Sequence, residues 1–217
     1  MGYTEGIQGA LHIALTDARS MSFFYSILEE MQSLRMNRFM REQEAKKTHG
    51  KILPFVRGLR FSALLTYAIR SILLGTELKA NWGHLLDKDG SLCSPECDII
   101  IHRNEHAIQW NGDENKNPIM DFRFIKQEDA IVVISCKLHI ESGNVDSEYC
   151  PAMKSFVEKV WLFAECCGPR SGESIKNKAL RLGYENFWHL YSWSEKRRPE
   201  PNKDGWMNFV EELKKLG

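Results

Sequence analysis

Ala130-Ile131-Val132-Val133-Ile134-Ser135-Cys136-Lys137-Leu138 is the stretch whose reading decides the fold. Five apolar residues run together, four of them β-branched, and a serine, a cysteine and a lysine follow. The run has no helical period and predicts a buried strand of a mixed or parallel sheet. A lysine at the end of such a strand is costly unless it meets a carboxylate or a phosphate. Upstream, Ser94-Pro95-Glu96-Cys97-Asp98-Ile99-Ile100-Ile101-His102 reads as a turn feeding a second strand, with Asp98 at its start. Two neighbouring strands presenting Asp98 and Lys137 would make a small site for a metal ion and a phosphate.

Outward from these strands the chain alternates helices and strands. A long helix is expected from Thr16 or Asp17 to about Lys47. Its apolar stripe, Phe24, Ile27, Met31 and Leu34, suits packing on its own domain or on a second copy in a homodimer. Residues 1–48 are thus read as a helical extension and residues 49–217 as one α/β domain. A second helix is expected over residues 54–74, with Gly75 as its stop, and a strand over residues 77–86. Residues 111–118 form a polar loop rich in turn formers, and residues 122–125 a short strand. After Lys137, a helix is expected over residues 151–166, with Phe156, Val160 and Phe163 on its inner face. A basic helix over 171–182, an aromatic strand over 186–193 and a closing helix over 206–216 complete the chain. The aromatic strand either fills the core or offers rings to unpaired bases, and alternation favours the core.

The chain has 217 residues, of which 43% are hydrophobic and 27% charged, and its formal net charge is zero. Bulk charge therefore gives no argument for nucleic acid, but its distribution does. From Arg35 to Arg70 there are nine Lys or Arg and two acids, and from Glu96 to Cys150 five bases and eleven acids. A basic helical region suits phosphates and an acidic sheet region suits cations. Arg57 and Arg60 are the candidate phosphate contacts, with Lys137. Six cysteines and a start without a basic leader predict reduced thiols and a cytoplasmic protein. The apolar stretch from Phe61 to Leu74 is too short to span a bilayer and is broken by Arg70, so no membrane role is expected. Cys93-x-x-x-Cys97 with His102 and His106 could hold zinc, although buried or free thiols explain the spacing better.

The order of Asp98, a strand, and a strand ending in x-x-Lys137 resembles the PD-(D/E)xK nuclease superfamily, over roughly residues 49 to 165. That resemblance implies a restriction-endonuclease-like core, a mixed central sheet flanked by helices. The family pattern places an acid where this chain has Ser135; Ser135-Cys136-Lys137 is similar to the Ser-x-Lys variant of some type II restriction enzymes. In such variants a glutamate further along supplies the missing carboxylate. In many members the helix before the first strand contributes a glutamate, but here no acid lies between Lys51 and Thr76. The resemblance implies Mg²⁺ or Mn²⁺ held by Asp98, the Cys136 carbonyl and Glu148, with Lys137 beside the scissile phosphate. Glu141 and Glu158 are alternatives to Glu148, and Glu77 and Glu96 more remote ones. The activity implied is metal-dependent cleavage of DNA, in restriction or defence against foreign DNA. The competing reading is the same fold without catalysis, holding nucleic acid or a protein partner as a scaffold. A third is an unrelated α/β protein in which Lys137 serves stability.

Overall fold

The computed structural model describes residues 2–36, 52–103, 108–109, 122–196 and 198–217. Two helices lead, α1 (Gly2–Met36) and α2 (Ile52–Ile72). Five strands follow: β1 (Leu78–Leu86), β2 (Cys97–Arg103), β3 (Ile108–Gln109), β4 (Phe122–Lys126) and β5 (Ala130–Ile140). Next come the short helix α3 (Tyr149–Met153), β6 (Lys159–Cys167), α4 (Gly172–Arg181), β7 (Asn186–Trp193), β8 (Pro199–Pro201) and α5 (Lys203–Lys214). Among the described residues the strands form one mixed sheet of eight, in the order β3-β4-β1-β2-β5-β6-β7-β8.

The two β-branched runs are neighbours. β2 and β5 pair antiparallel, with Ile99 opposite Ile134 and Ile100 opposite Val133. β5, β6 and β7 run parallel. Parallel strands are covered on both faces, and here helices do the covering. On one face Ile99, Ile101, Val132 and Ile134 meet Phe61, Leu65 and Ile69 of α2. Phe24 and Met31 of α1 and Trp206 and Phe209 of α5 extend that layer, and the Phe163 and Phe209 rings lie 4.7 Å apart, edge to face. Each fully buried Phe or Leu contributes roughly 1.5–3 kcal/mol. The apolar stripe of α1 is therefore buried by this chain itself. On the other face Ile100, Val133, Val160 and Leu162 meet Met153 of α3 and Ile175 and Ala179 of α4.

Two expectations about helices are corrected. α1 begins at Gly2, upstream of the cap expected at Thr16 or Asp17. Residues 10–15, Ala-Leu-His-Ile-Ala-Leu, carry no breaker, and a nucleated helix propagates through such a segment without a cap. The helix expected over residues 151–166 does not form. α3 ends at Met153, and β6 is buried from Val160 to Cys167. A strand covered on both faces loses its polar alternation. Phe156, Val160 and Phe163 then imitate one face of a helix. The expected end of the first helix near Lys47, the polar loop 111–118 and His106 lie outside the described residues.

One glycine sets how the sheet extends. β1 carries an irregularity between Asn81 and Gly83, and Gly83 stands beside Arg123 in the parallel β1–β4 ladder. A Cβ on Gly83 would collide with the backbone carbonyl of Arg123. Among the described residues, no helix is long and apolar enough to cross a membrane.

Candidate active site

The site forms where β2 begins and β5 nears its end. Asp98 is the second residue of β2, and its Oδ2 accepts the Cys136 amide at 2.8 Å. That bond fixes the carboxylate against the strand that carries Lys137, the next residue. Burial pushes the Asp98 carboxyl above its ordinary range; the Cys136 amide and the Lys137 charge pull it down, and the charge of Glu96 pushes it up. Lys137 is half-buried, and its Nζ lies 6.0 Å from the centre of the Tyr149 ring. This is the outer range of a cation–π contact. The Tyr149 hydroxyl donates to the Glu96 carbonyl at 3.3 Å, which ties α3 to the turn before Asp98.

Ser135, at the position where the family pattern has an acid, is 1% exposed, and its hydroxyl has no hydrogen-bond partner among the described residues. Continuing the β2–β5 register from Ile99–Ile134 places Ser135 directly across from Asp98. Directly paired residues share a face of the sheet, as Ile100 and Val133 do. Ser135 and Lys137 lie on that same face by the two-residue period. The Cys136 side chain lies on the opposite one, packed against the α2 layer. Burial raises its thiol well above the ordinary value, as it raises Cys97 to about 12. Both thiols are protonated at neutral pH.

The structure brings Asp98, Ser135 and Lys137 together, with the Cys136 backbone between the last two. No hydrogen bond or ion pair joins Glu148 to them among the described residues. Glu148 is exposed, just before α3, and its amide donates to Asp146 Oδ1 at 2.9 Å. Glu141 reaches His139 at 3.3 Å instead, and Glu77 and Glu158 are exposed. Among the described residues no three of His, Cys, Asp and Glu gather as a metal cluster. This also removes the zinc reading from what is described: Cys93 is exposed, Cys97 is buried beside Ser94, and His102 Nε2 bonds Asn81 Oδ1 at 2.9 Å.

The two arginines part company. Arg60 is exposed, with its Nε 2.5 Å from Glu30 Oε1. Arg57 is buried at 8% exposure, its Nη2 3.5 Å from Oε2 of the fully buried Glu165. Glu165 Oε1 accepts the Tyr191 hydroxyl at 2.7 Å. An arginine turned inward in this way is not placed to meet a phosphate. Reading the sequence alone also missed Tyr149, Tyr184 and Asp146 around the site. Asp146 carried a signal, since an Asp just before a short helix is a capping residue.

No family model and no curated protein matches this chain. Solved structures do share its fold. NucC of P. aeruginosa ATCC27853, in its cAAA-bound form, superposes with a TM-score of 0.59 at 14% identity, covering 94% of this chain and 92% of that one. NucC of E. coli MS115-1, cAAA-bound, gives a TM-score of 0.59 at 9% identity, covering 93% of this chain and 90% of that one. Its apo form gives 0.51 at 10% identity, with 91% and 92% covered. The mixed α/β architecture built around β2 and β5 is thus a fold shared with the NucC structures.

Proposed function

We propose that this chain is a divalent-metal-dependent endonuclease that cleaves DNA, in defence against foreign DNA. One observation carries the reading: Asp98 and Lys137 stand on adjacent strands and on one face of the sheet, with Asp98 bonded to the amide of Cys136. The nuclease fold supports it. The donors present suit a hard cation. Asp98 offers a carboxylate, the Cys136 carbonyl is a neutral oxygen, and the Ser135 hydroxyl lacks a partner among the described residues. Bound there, the ion would supply a charge sink for a phosphoryl oxygen and a water of lowered pKa. Lys137 would set its charge where negative charge develops on the phosphate. Arg60, exposed on α2, would contact the backbone of the nucleic acid, and its loss would flatten the salt dependence of binding.

The test is plasmid cleavage with Mg²⁺ or Mn²⁺, with and without cAAA, because two of the structural neighbours are cAAA-bound. Lys137→Ala should slow cleavage by about 10²–10³-fold while DNA affinity stays within about twofold of the wild type. The second reading, a nucleic-acid scaffold without catalysis, draws on Ser135 standing where the family pattern has an acid. Wild-type protein that binds DNA in a salt-dependent way but cuts neither DNA nor RNA under any of these conditions would establish that reading instead.

A further inference from the structure

We propose that Tyr149 is the positioning residue for Lys137: its ring, in place of a carboxylate, keeps the ammonium at the site. The inference rests on the endonuclease reading and names the group that holds the lysine of that reading in place. Lys137 Nζ lies 6.0 Å from the centre of the Tyr149 ring. Among the described residues Lys137 forms no ion pair, and its ammonium makes no hydrogen bond. The half-buried lysine thus meets a ring and no acid at ion-pair distance. The distinction matters chemically. A carboxylate partner would neutralise the ammonium and occupy its N–H groups. A ring attracts the charge through its quadrupole and leaves those donors for a phosphate oxygen.

A lysine side chain is flexible and loses much rotamer freedom when it is fixed. The residue that fixes it must itself be fixed, and Tyr149 is held at both ends. Its amide donates to Asp146 Oδ1 at 3.0 Å, and its hydroxyl donates to the Glu96 carbonyl at 3.3 Å. Its flank packs against the buried layer that contains Cys150 and Met153, the inward residues of α3. One side chain therefore faces Lys137 on β5 and is bonded to the turn that leads into Asp98 on β2. These anchors belong to the protein, so the ring is in place before any substrate arrives. A group placed in advance costs no reorganisation during the reaction.

The experiment compares wild type, Tyr149→Phe and Tyr149→Leu in two readouts. The first is acetylation of Lys137 by a limiting amine-reactive reagent in metal-free buffer, followed by peptide mass spectrometry. The ring shields the ammonium, so Tyr149→Leu should raise labelling of Lys137 about threefold or more, and Tyr149→Phe should stay within about twofold of wild type. The second is steady-state plasmid cleavage with Mn²⁺. Tyr149→Leu should lower kcat about tenfold with KM within about twofold, and Tyr149→Phe, which keeps the ring, should retain most of the rate. Circular dichroism and thermal melting check that each variant folds. Equal labelling of Lys137 in all three proteins overturns the contact. Tyr149→Leu as fast as wild type, or Tyr149→Phe as slow as Tyr149→Leu, overturns positioning by the ring and leaves the endonuclease reading standing. Should Tyr149→Leu not fold, Tyr149→Phe decides, and loss of cleavage or of shielding there overturns the proposal. A wild type that cuts no nucleic acid overturns the endonuclease reading, and the labelling alone then decides the contact.

Discussion

Two charged clusters lie on opposite faces of the same sheet, one buried and one half-buried, and they are built differently. On the α2 face, Glu165 has both oxygens engaged, one by Arg57 and one by Tyr191, inside a layer of Phe and Trp rings. On the other face, Asp98 holds one backbone amide, Lys137 rests near a tyrosine ring, and the hydroxyls of Ser135 and Tyr184 have no partner among the described residues. In the first cluster the carboxylate is met by side chains of the protein itself. In the second, two hydroxyls find no partner among the described residues. Charge met by internal partners serves the fold, whereas polar groups left open mark a candidate site.

The largest expected effect breaks the complete cluster. Arg57→Ala should cost about 3–5 kcal/mol in urea unfolding, because it removes the guanidinium paired with the fully buried Glu165. A cost below about 1 kcal/mol would show that Arg57 is in truth a surface group, and the contrast between the clusters would collapse. His189 supplies a titratable test of the same idea. Its Nε2 lies 3.0 Å from Ser192 Oγ and 3.3 Å from Asn202 Nδ2, and burial lowers its pKa to about 4. The neutral ring is the form the fold accepts. Stability should therefore be complete above the ordinary histidine value of about 6.5 and fall by on the order of 3 kcal/mol as pH drops from there through about 4. His189→Gln should flatten that limb of the pH–stability curve.

The incomplete cluster should respond in the opposite sense. Because burial raises the Asp98 carboxyl, the folded protein holds that proton more tightly than the unfolded chain does. Its contribution is present at low pH and is lost as pH rises from the ordinary carboxylate range through the raised value. In metal-free buffer at neutral pH, Asp98→Asn should then melt at or above the wild-type temperature, and a lower melting temperature would count against the site. The smallest effect is at Ser135. Ser135→Ala removes a buried hydroxyl that bonds nothing among the described residues, so in metal-free buffer it should shift stability by less than about 1 kcal/mol, toward greater stability.

The parts of this arrangement legible in the sequence were those with a local signature. The β-branched runs at Ile99–Ile101 and Ile131–Ile134 announced adjacent buried strands, and Asp98 and Lys137 marked their ends. Gly75 and Gly183, with φ of 94° and 97°, stop helices as their positions suggested. What stayed hidden depended on partners far along the chain. Arg57 reads as a surface cation until Glu165 is placed beneath it, and Glu165 sits in β6, whose two-sided burial imitates a helix. Glu148 was the more conspicuous acid in its loop, but it is Asp146, two residues earlier, whose carboxylate accepts the two amides there, which no composition reveals. The position taken by Ser135 was evident at once, whereas its missing hydrogen-bond partner is a property of three dimensions.

The contact at Gly83 has a consequence for how this protein can diverge. Among the described residues the β3–β4 pair joins the sheet through β1, and it does so where a side chain would strike the carbonyl of Arg123. Any mutation at codon 83 therefore threatens the outer two strands as a unit, while the segment from β2 to β7 keeps its own ladders. Among descendants of this sequence, drift should be freer at Ser135 than at Gly83. The residue most resistant to replacement would then be one that touches no substrate and carries no charge.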